Sequence, residues 1–387
     1  MGLYEEYLRQ NMSLEDLLKQ RRLQLNRISE LRGGRDILVY AADLRKNMAP
    51  IGIDYGDLSP LSDLLSGLSG KQLDFVLETP GGSGEVAEDI IRIIRAKFEH
   101  VAIIVPGYAK SAGTIMALSG NEILMDQRSS LGPIDAQFSR QGKVLSAHAI
   151  LEDFRKIKDE VDQTGALNKA YIPILQGISP GELQHAQNAL DFAKSLVKEW
   201  LVTYKFADWT HHSSTGMPVT RKEKKLRAGR IAKCLCNHNK WLTHGKSIKI
   251  ADLQEIGLRI CDFNLSPELA DAIHRYFVLL QLTFDKGNVY KLCETAHSYI
   301  FKNIGPRVQE QIPTTSKKGR IVEIQVVCPS CGHEARVQAN LDSKSPLKEG
   351  RTPFPTNNQL SCVNCGSQID LSDARRDLEA KLGGKLV

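Results

Sequence analysis

Residues 74–98 read DFVLETPGGSGEVAEDIIRIIRAKF, and residues 101–120 read VAIIVPGYAKSAGTIMALSG. Each stretch is a short apolar run, then a turn of glycine and small polar residues, then a helical pattern. In the first, the run ends in Glu78-Thr79-Pro80-Gly81-Gly82-Ser83-Gly84, and Val86, Ile90, Ile93, Ile94 and Phe98 then share one helical face. Two further β-rich runs flank the pair, DILVYAAD (36–43) and EILMD (122–126). Alternation of β and α segments predicts βαβ units on a mainly parallel sheet. Backbone N–H groups at a strand-to-helix turn point at an anion, and glycines let a substrate come close. The first turn lacks the Lys-Ser/Thr ending of a phosphate-binding loop. The second places Ser111 where its hydroxyl would meet a substrate beside backbone donors, the setting of a nucleophile with an oxyanion hole. The plainer alternative is that Ser111 caps the helix.

The two turns together resemble the Clp/crotonase fold. They resemble most the serine dehydrogenase proteinase family of serine peptidases, related to signal peptide peptidase A. The matching stretches are ETPGGSGEVAEDI, VPGYAKSAGTIMAL, NEILMDQRSSLGPIDAQ and WLTHGKSIKIADLQEIGL (241–258), spread over about residues 35–300. The resemblance implies an α/β superhelix fold of repeated ββα units and a peptidase that hydrolyses polypeptides through an acyl-enzyme. It implies Ser111 as nucleophile, Gly82 and Ala112 as oxyanion N–H donors, and Pro80 and Gly81 in a loop edge that pairs with substrate as an added strand. Clp-fold peptidases work as rings or dimers, so self-assembly is expected.

A serine hydroxyl needs a base. Clp proteases carry a histidine about 25 residues after the serine, but LGPIDAQ (131–137) has none. Signal peptide peptidases use a lysine on a later helix, and KIKDEVDQTGALN (156–168) resembles that helix. Lys158 falls on the catalytic lysine, with Lys156, Lys169, Lys194 and Lys110 as rivals. Asp135 can orient a base or serve the turn after Pro133. His244 can act as a base or as a structural residue of its motif.

The eight cysteines are unevenly spread. Cys328-Pro-Ser-Cys331-Gly and Cys362-Val-Asn-Cys365-Gly are two CxxC knuckles, and together they predict a four-thiolate structural zinc site that resembles a zinc ribbon. Arg336, Lys344, Lys348 and Arg351 around it suit a polyanion. His211, His212, Cys234, Cys236 and His238 fit no standard metal spacing and read as free side chains.

The remainder is ordinary for a globular protein of 387 residues, 42% hydrophobic and 25% charged. This composition excludes disorder as the main state. The net charge of +6 equals that of RKEKKLRAGRIAK (221–233) alone, which carries seven basic residues and one acidic one. That stretch is either a contact for a polyanion or an acidic partner, or a solvated helix face. No cleavable signal and no apolar run of about 18 residues is found, so a cytoplasmic protein without membrane contact is expected. The predicted layout is an N-terminal helix (1–34) capped by Ser13 and Asp16, with Leu17, Leu18, Leu23 and Leu25 on its repeat. A peptidase domain (35–265), a helical hairpin opening at Ser266-Pro267 (266–312), a linker (313–320) and the zinc ribbon with its tail (321–387) complete it. Two other readings stay open: an acyl-thioester enzyme of the crotonase fold, disfavoured by Ser111 and by no glutamate base on the loop, and a zinc-ribbon adaptor on an inactive peptidase fold.

Overall fold

The computed structural model describes residues 2–140, 143–304, 307–310, 321–340, 346–382 and 385–386. The predicted linker 313–320 and Lys344 lie outside the described residues. The chain forms two compact units, Met1–Phe284 with Tyr290–Lys302, and Asp285–Val289 with Asn303–Val387.

The first unit is built on a seven-stranded sheet. Its strands are β1 (Asp36–Ala42), β2 (Gln72–Glu78), β3 (His100–Ile104), β4 (Glu122–Met125), β5 (Cys261–Asp262), β6 (Val289–Glu294) and β7 (Tyr299–Asn303), in the order β7-β6-β1-β2-β3-β4-β5. β1 to β5 are parallel, and β6 joins antiparallel to β1. The central strands are covered on both faces, so they read as unbroken apolar runs. Leu38, Phe75, Leu77 and Ile103 are fully buried.

The helices of this unit include α1 (Leu3–Arg9), α2 (Leu14–Leu31), α3 (Leu58–Ser66), α4 (Gly84–Lys97), α5 (Ala112–Ala117), α6 (Ala147–Thr164), α7 (Pro180–Trp200), α8 (Arg221–Leu235) and α9 (Pro267–Lys286). Ser83 caps α4, and Val86, Ala87, Ile90, Ile91 and Ile94 face the core. Ile93 lies on the outer side instead, 36% exposed. Each buried aliphatic chain is worth about 1.5–3 kcal/mol, so α4 is held by that face more than by its own propensity.

Two expectations about the ends of this unit need correction. The N-terminal segment is two helices, with the Ser13–Asp16 capping box opening the second. Leu23 is exposed there, while Arg21 and Gln24 are buried. Arg21 turns inward because Glu294 accepts from it at 2.9 and 3.0 Å and Thr283 at 2.6 Å. Among the described residues of 266–312 there is no helical hairpin. α9 is one helix, and β6 and β7 come after it. Gly287-Asn288 breaks the helix, and VYKLCE then finds the open edge of β1, with Tyr40 opposite Cys293. An unpaired sheet edge outweighs a local helical pattern.

In the second unit the strands Arg307–Glu310, Ile321–Val327, Glu334–Asn340 and Thr352–Pro353 form a four-stranded sheet, beside a two-stranded ribbon of Gln359–Ser361 and Gln368–Asp370. Ile324, Val326, Val337, Phe354, Leu360 and Ile369 belong to its small core, together with Cys328 and Cys362. Among the described residues no helix is long and apolar enough to cross a membrane.

Candidate active site

The two glycine-rich turns leave the carboxyl ends of β2 and β3 side by side. Thr79 N–H donates to the Tyr108 carbonyl at 2.8 Å, and Lys110 N–H to the Thr79 carbonyl at 3.0 Å. Gly81 has φ 101°, and a Cβ there would lie 2.7 Å from the Lys110 carbonyl and 2.8 Å from Ser111 Cβ. Only glycine permits that approach. Gly82, at φ 146°, forms a parallel bridge with Ile53. The bridge uses the Gly81 carbonyl, 2.7 Å from Ile53 N, and Ser83 N–H, 2.9 Å from the Ile53 carbonyl. The middle residue of such a bridge turns its own N–H to the opposite edge. One edge of the Pro80-Gly81-Gly82 loop is therefore already paired by the protein itself, leaving the Gly82 edge for an added strand.

Ser111 stands between β3 and α5 at φ 50°, ψ −116°. Its side chain makes no cap hydrogen bond to α5, so the capping alternative is not realised. Among the described residues, neither Gly82 N–H nor Ala112 N–H donates a hydrogen bond. Ser111, Gly82 and Ala112 line one cavity of about 590 Å³, with Pro80 and Gly81 at its wall.

Asp135 and His244 line the same cavity. Three sets of hydrogen bonds bring them there. Thr114 Oγ1 donates to the Gly132 carbonyl at 3.0 Å and accepts from Gly132 N–H at 2.9 Å, tying α5 to the segment that carries Asp135. Leu131 and Ile248 exchange backbone bonds of 3.0 and 2.9 Å, which seats the 243–247 turn beside it. Lys110 Nζ then donates to the Leu131 carbonyl at 3.3 Å, the Lys246 carbonyl at 3.1 Å and Ser247 Oγ at 3.0 Å. Burial, then the nearby Lys249 charge, pushes the Lys110 amine down to about 8. Its donors are nevertheless spent on this brace, so Lys110 positions the turn.

Asp135 is 5% exposed. Its Oδ1 accepts from Ser146 Oγ at 2.8 Å, and its Oδ2 faces His238 Nδ1 at 3.4 Å and His244 Nδ1 at 3.9 Å. Asp135 Oδ2 and His244 Nδ1 are both buried and lack a hydrogen-bond partner. A small movement would bring His244 into a carboxylate–imidazole bond, in competition with His238, which stands nearer to the same oxygen. Burial holds the His244 imidazole below its ordinary value, and His238 and Lys110 add to this against the pull of Asp135.

Lys158 is not brought to Ser111. It is exposed on α6 and does not line the cavity. The α6 helix buries Ala147 and Ile157, which turns Lys158 outward. Lys156 pairs with Asp153 on the same exposed surface. The sequence named Asp135 and His244 but did not join them, because 109 positions separate them. It also did not place His185, Phe192 or Glu85 at the cavity. Glu85 is an exposed carboxylate that accepts from Ser83 Oγ at 2.8 Å.

In the second unit, the sulfurs of Cys328, Cys331, Cys362 and Cys365 all lie within 4.8 Å of one another. The closest pairs are Cys328–Cys365 at 3.7 Å and Cys331–Cys362 at 3.6 Å. A tetrahedral four-sulfur site with metal–sulfur bonds of about 2.3 Å has edges of about 3.8 Å, so the four can hold one metal ion. Both knuckles close alike: Gly332 N–H donates to the Cys328 carbonyl and Gly366 N–H to the Cys362 carbonyl, each at 2.9 Å. Among the described residues, His211, His212, Cys234, Cys236 and His238 form no such cluster. Lys348 and Arg351 pair with Glu323 at 2.6 and 2.8 Å, with Lys348 still 58% exposed. Arg336 is exposed.

Residues 61–174 match the model of a family described as ClpP-like SDH-type serine proteinase. Two uncharacterised proteins of Methanocaldococcus jannaschii are similar in sequence. One is 28% identical over 208 residues, 53% of this chain and 59% of its own length, and the other 31% over 88 residues, 23% and 30%. This chain therefore spans only part of the relatives it matches. Among solved structures, a variant of the 1510-N membrane-bound stomatin-specific protease is 24% identical over 30% of this chain and 60% of its own, with a TM-score of 0.22. Another variant of that protease, with a substrate peptide, gives 17% identity over 56% and 74% and a TM-score of 0.32. A probable enoyl-CoA hydratase/isomerase from Mycobacterium abscessus gives 13% over 64% and 74%, with a TM-score of 0.28.

Proposed function

We propose that this chain, whose residues 61–174 match the model of the ClpP-like SDH-type serine proteinases, is a serine endopeptidase. In this reading Ser111 attacks the peptide carbonyl, the N–H groups of Gly82 and Ala112 hold the oxyanion, and water then hydrolyses the acyl-enzyme. His244 takes the Ser111 proton and returns it to the leaving amine, with Asp135 orienting the ring. The observation that carries it is that Ser111, Asp135 and His244 line one cavity, with the Asp135 and His244 atoms that face each other free of hydrogen bonds. The exposure of Lys158 weighs against the Ser-Lys form. Phe192, Ile115 and Ile134 give the cavity an apolar wall, which supports a preference for an apolar side chain at the cleaved bond. The four cysteines would hold a structural zinc ion, because four thiolates leave no open position for a substrate.

A serine-reactive fluorophosphonate tests the reading. Wild type is expected to label, and Ser111→Ala to lose labelling. His244→Ala is expected to slow it by about 10²–10⁴, the usual worth of a general base, and Lys158→Ala to leave it unchanged. An unlabelled wild type sinks the peptidase, and a silent Lys158→Ala beside an active His244→Ala returns the base to the lysine.

A further inference from the structure

The basic stretch 221–233 gains a shape in the folded protein. As α8 it opens on a Thr220–Glu223 capping box and buries Ala228, Ile231, Ala232 and Leu235. Its outer side, with the end of α7 and the turn after it, walls a groove of about 640 Å³. Lys198, Arg221, Lys225, Arg230 and Lys233 line it against one carboxylate, Glu199, and Val202 and Leu226 supply its apolar surface. Leu226 is 57% exposed.

Three observations set this groove apart. Among the described residues none of the five cations makes a hydrogen bond or an ion pair, whereas Lys224 and Arg227 of the same helix bond the Ala207 and Gly257 carbonyls. Unpaired like charges crowded together repel each other, and an opposite charge relieves them. Second, Gly229 sits inside α8 on the groove wall, where glycine costs a helix about 1 kcal/mol against alanine. No packing demands it, since a Cβ there would meet nothing nearer than Lys198 Cε at 3.9 Å. The missing side chain leaves the floor open. Third, no aromatic residue lines the groove, so it offers bases no stacking surface, while Val202 and Leu226 offer an apolar anchor a place to sit.

We propose that this groove docks an acidic protein segment carrying an apolar anchor residue. The carboxylates meet the cationic rim, and the anchor lies against Val202 and Leu226 over Gly229. Phe192 of α7 faces the Ser111 cavity and Lys198 of α7 faces the groove, about 9 Å apart along the helix axis at 1.5 Å per residue. The proposal concerns binding and stands apart from the peptidase reading.

Fluorescence anisotropy tests it, using Ser111→Ala protein so that no hydrolysis intervenes. The probe is a fluorescein-labelled peptide of Asp and Glu flanking one leucine. Its comparisons are the same peptide with serine for leucine, polyglutamate and single-stranded DNA. Saturable binding of the leucine peptide is expected, weakening as salt rises. Arg230→Glu with Lys233→Glu is expected to lower affinity about tenfold or more. Gly229→Leu should do the same with the charge untouched and the melting temperature unchanged or raised. Absence of saturable binding overturns the proposal. So does equal binding of polyglutamate or DNA, or full binding by folded Gly229→Leu, since each leaves only a charged patch.

Discussion

Ser111 occupies a backbone conformation, φ 50° and ψ −116°, that costs an L-residue about 1–3 kcal/mol. The cost is met by the Thr114 bonds and by the close stacking of Gly81 on the turn. Ser111→Gly is therefore expected to raise the urea midpoint while abolishing fluorophosphonate labelling, and Ser111→Ala to abolish labelling without that gain. Gly82→Ala meets the opposite situation, because its Cβ would lie 2.2 Å from Ile53 N. It should open the Ile53 bridge and lower kcat by about 10²–10³, the worth of one oxyanion donor, measured by peptide turnover. Glu78, at the end of β2, is fully buried, and burial raises its carboxyl to about 8, against the backbone N–H bonds from Tyr108 and Gly107. Folding then favours the protonated form. Its contribution to stability is complete below the ordinary value of 4.5 and is lost as pH rises through about 8. Melting temperatures across this range should fall toward alkaline pH, and Glu78→Gln should flatten the slope. For His244 the sign is the reverse: a lowered value keeps the base form down to below pH 6.5, so turnover should decline only on the acid side of that value.

Between residue and fold stand the elements that aim the oxyanion loop. Lys291 of β6, 1% exposed, donates to the Gly52 carbonyl at 2.5 Å and to Asp54 and Asp57 at 2.7 and 2.9 Å. Tyr40 of β1 donates to Asp57 at 2.8 Å. The sheet thereby fixes the 52–54 segment, and Ile53 in turn fixes Gly82. Lys291→Met leaves Asp57 buried with one partner fewer, so a loss of about 3–5 kcal/mol is expected from urea unfolding. Periodicity identified β1 to β4 and α4 because each buries a continuous stripe of its own. It misread 266–312 because VYKLCE is a strand only where β1 presents a free edge. Leu23 shows the same limit on α2: an apolar residue on the predicted repeat is outside, while Arg21 is inside because Glu294 waits across the fold.

For the molecule as a whole, the two units rest on different principles. The first buries a large apolar core around its sheet. The second has, among the described residues, a core of twelve buried residues, two of them Cys328 and Cys362 of the four-cysteine cluster, too small to be secure without a staple. Metal analysis of freshly purified protein is expected to give one zinc per chain. Chelation or Cys365→Ser should accelerate hydrogen exchange in the strands Ile321–Val327 and Glu334–Asn340.

The sequence by itself determined the strand–turn–helix repeat, the turn that carries Ser111, the glycines at 81 and 82 and the four-cysteine cluster. Each of these is local: the interacting residues lie within a few positions, or, for the cysteines, carry one unmistakable chemistry. Only the tertiary structure decided which titratable side chains share the cavity with Ser111, which strand closes the sheet edge and which face of the basic helix is left exposed. Asp135 and His244 meet through hydrogen bonds from Thr114, Lys110 and Ile248, and no spacing along the chain encodes that meeting. Lys158 fits the expected helix but not the cavity, because the buried face of α6 turns it outward.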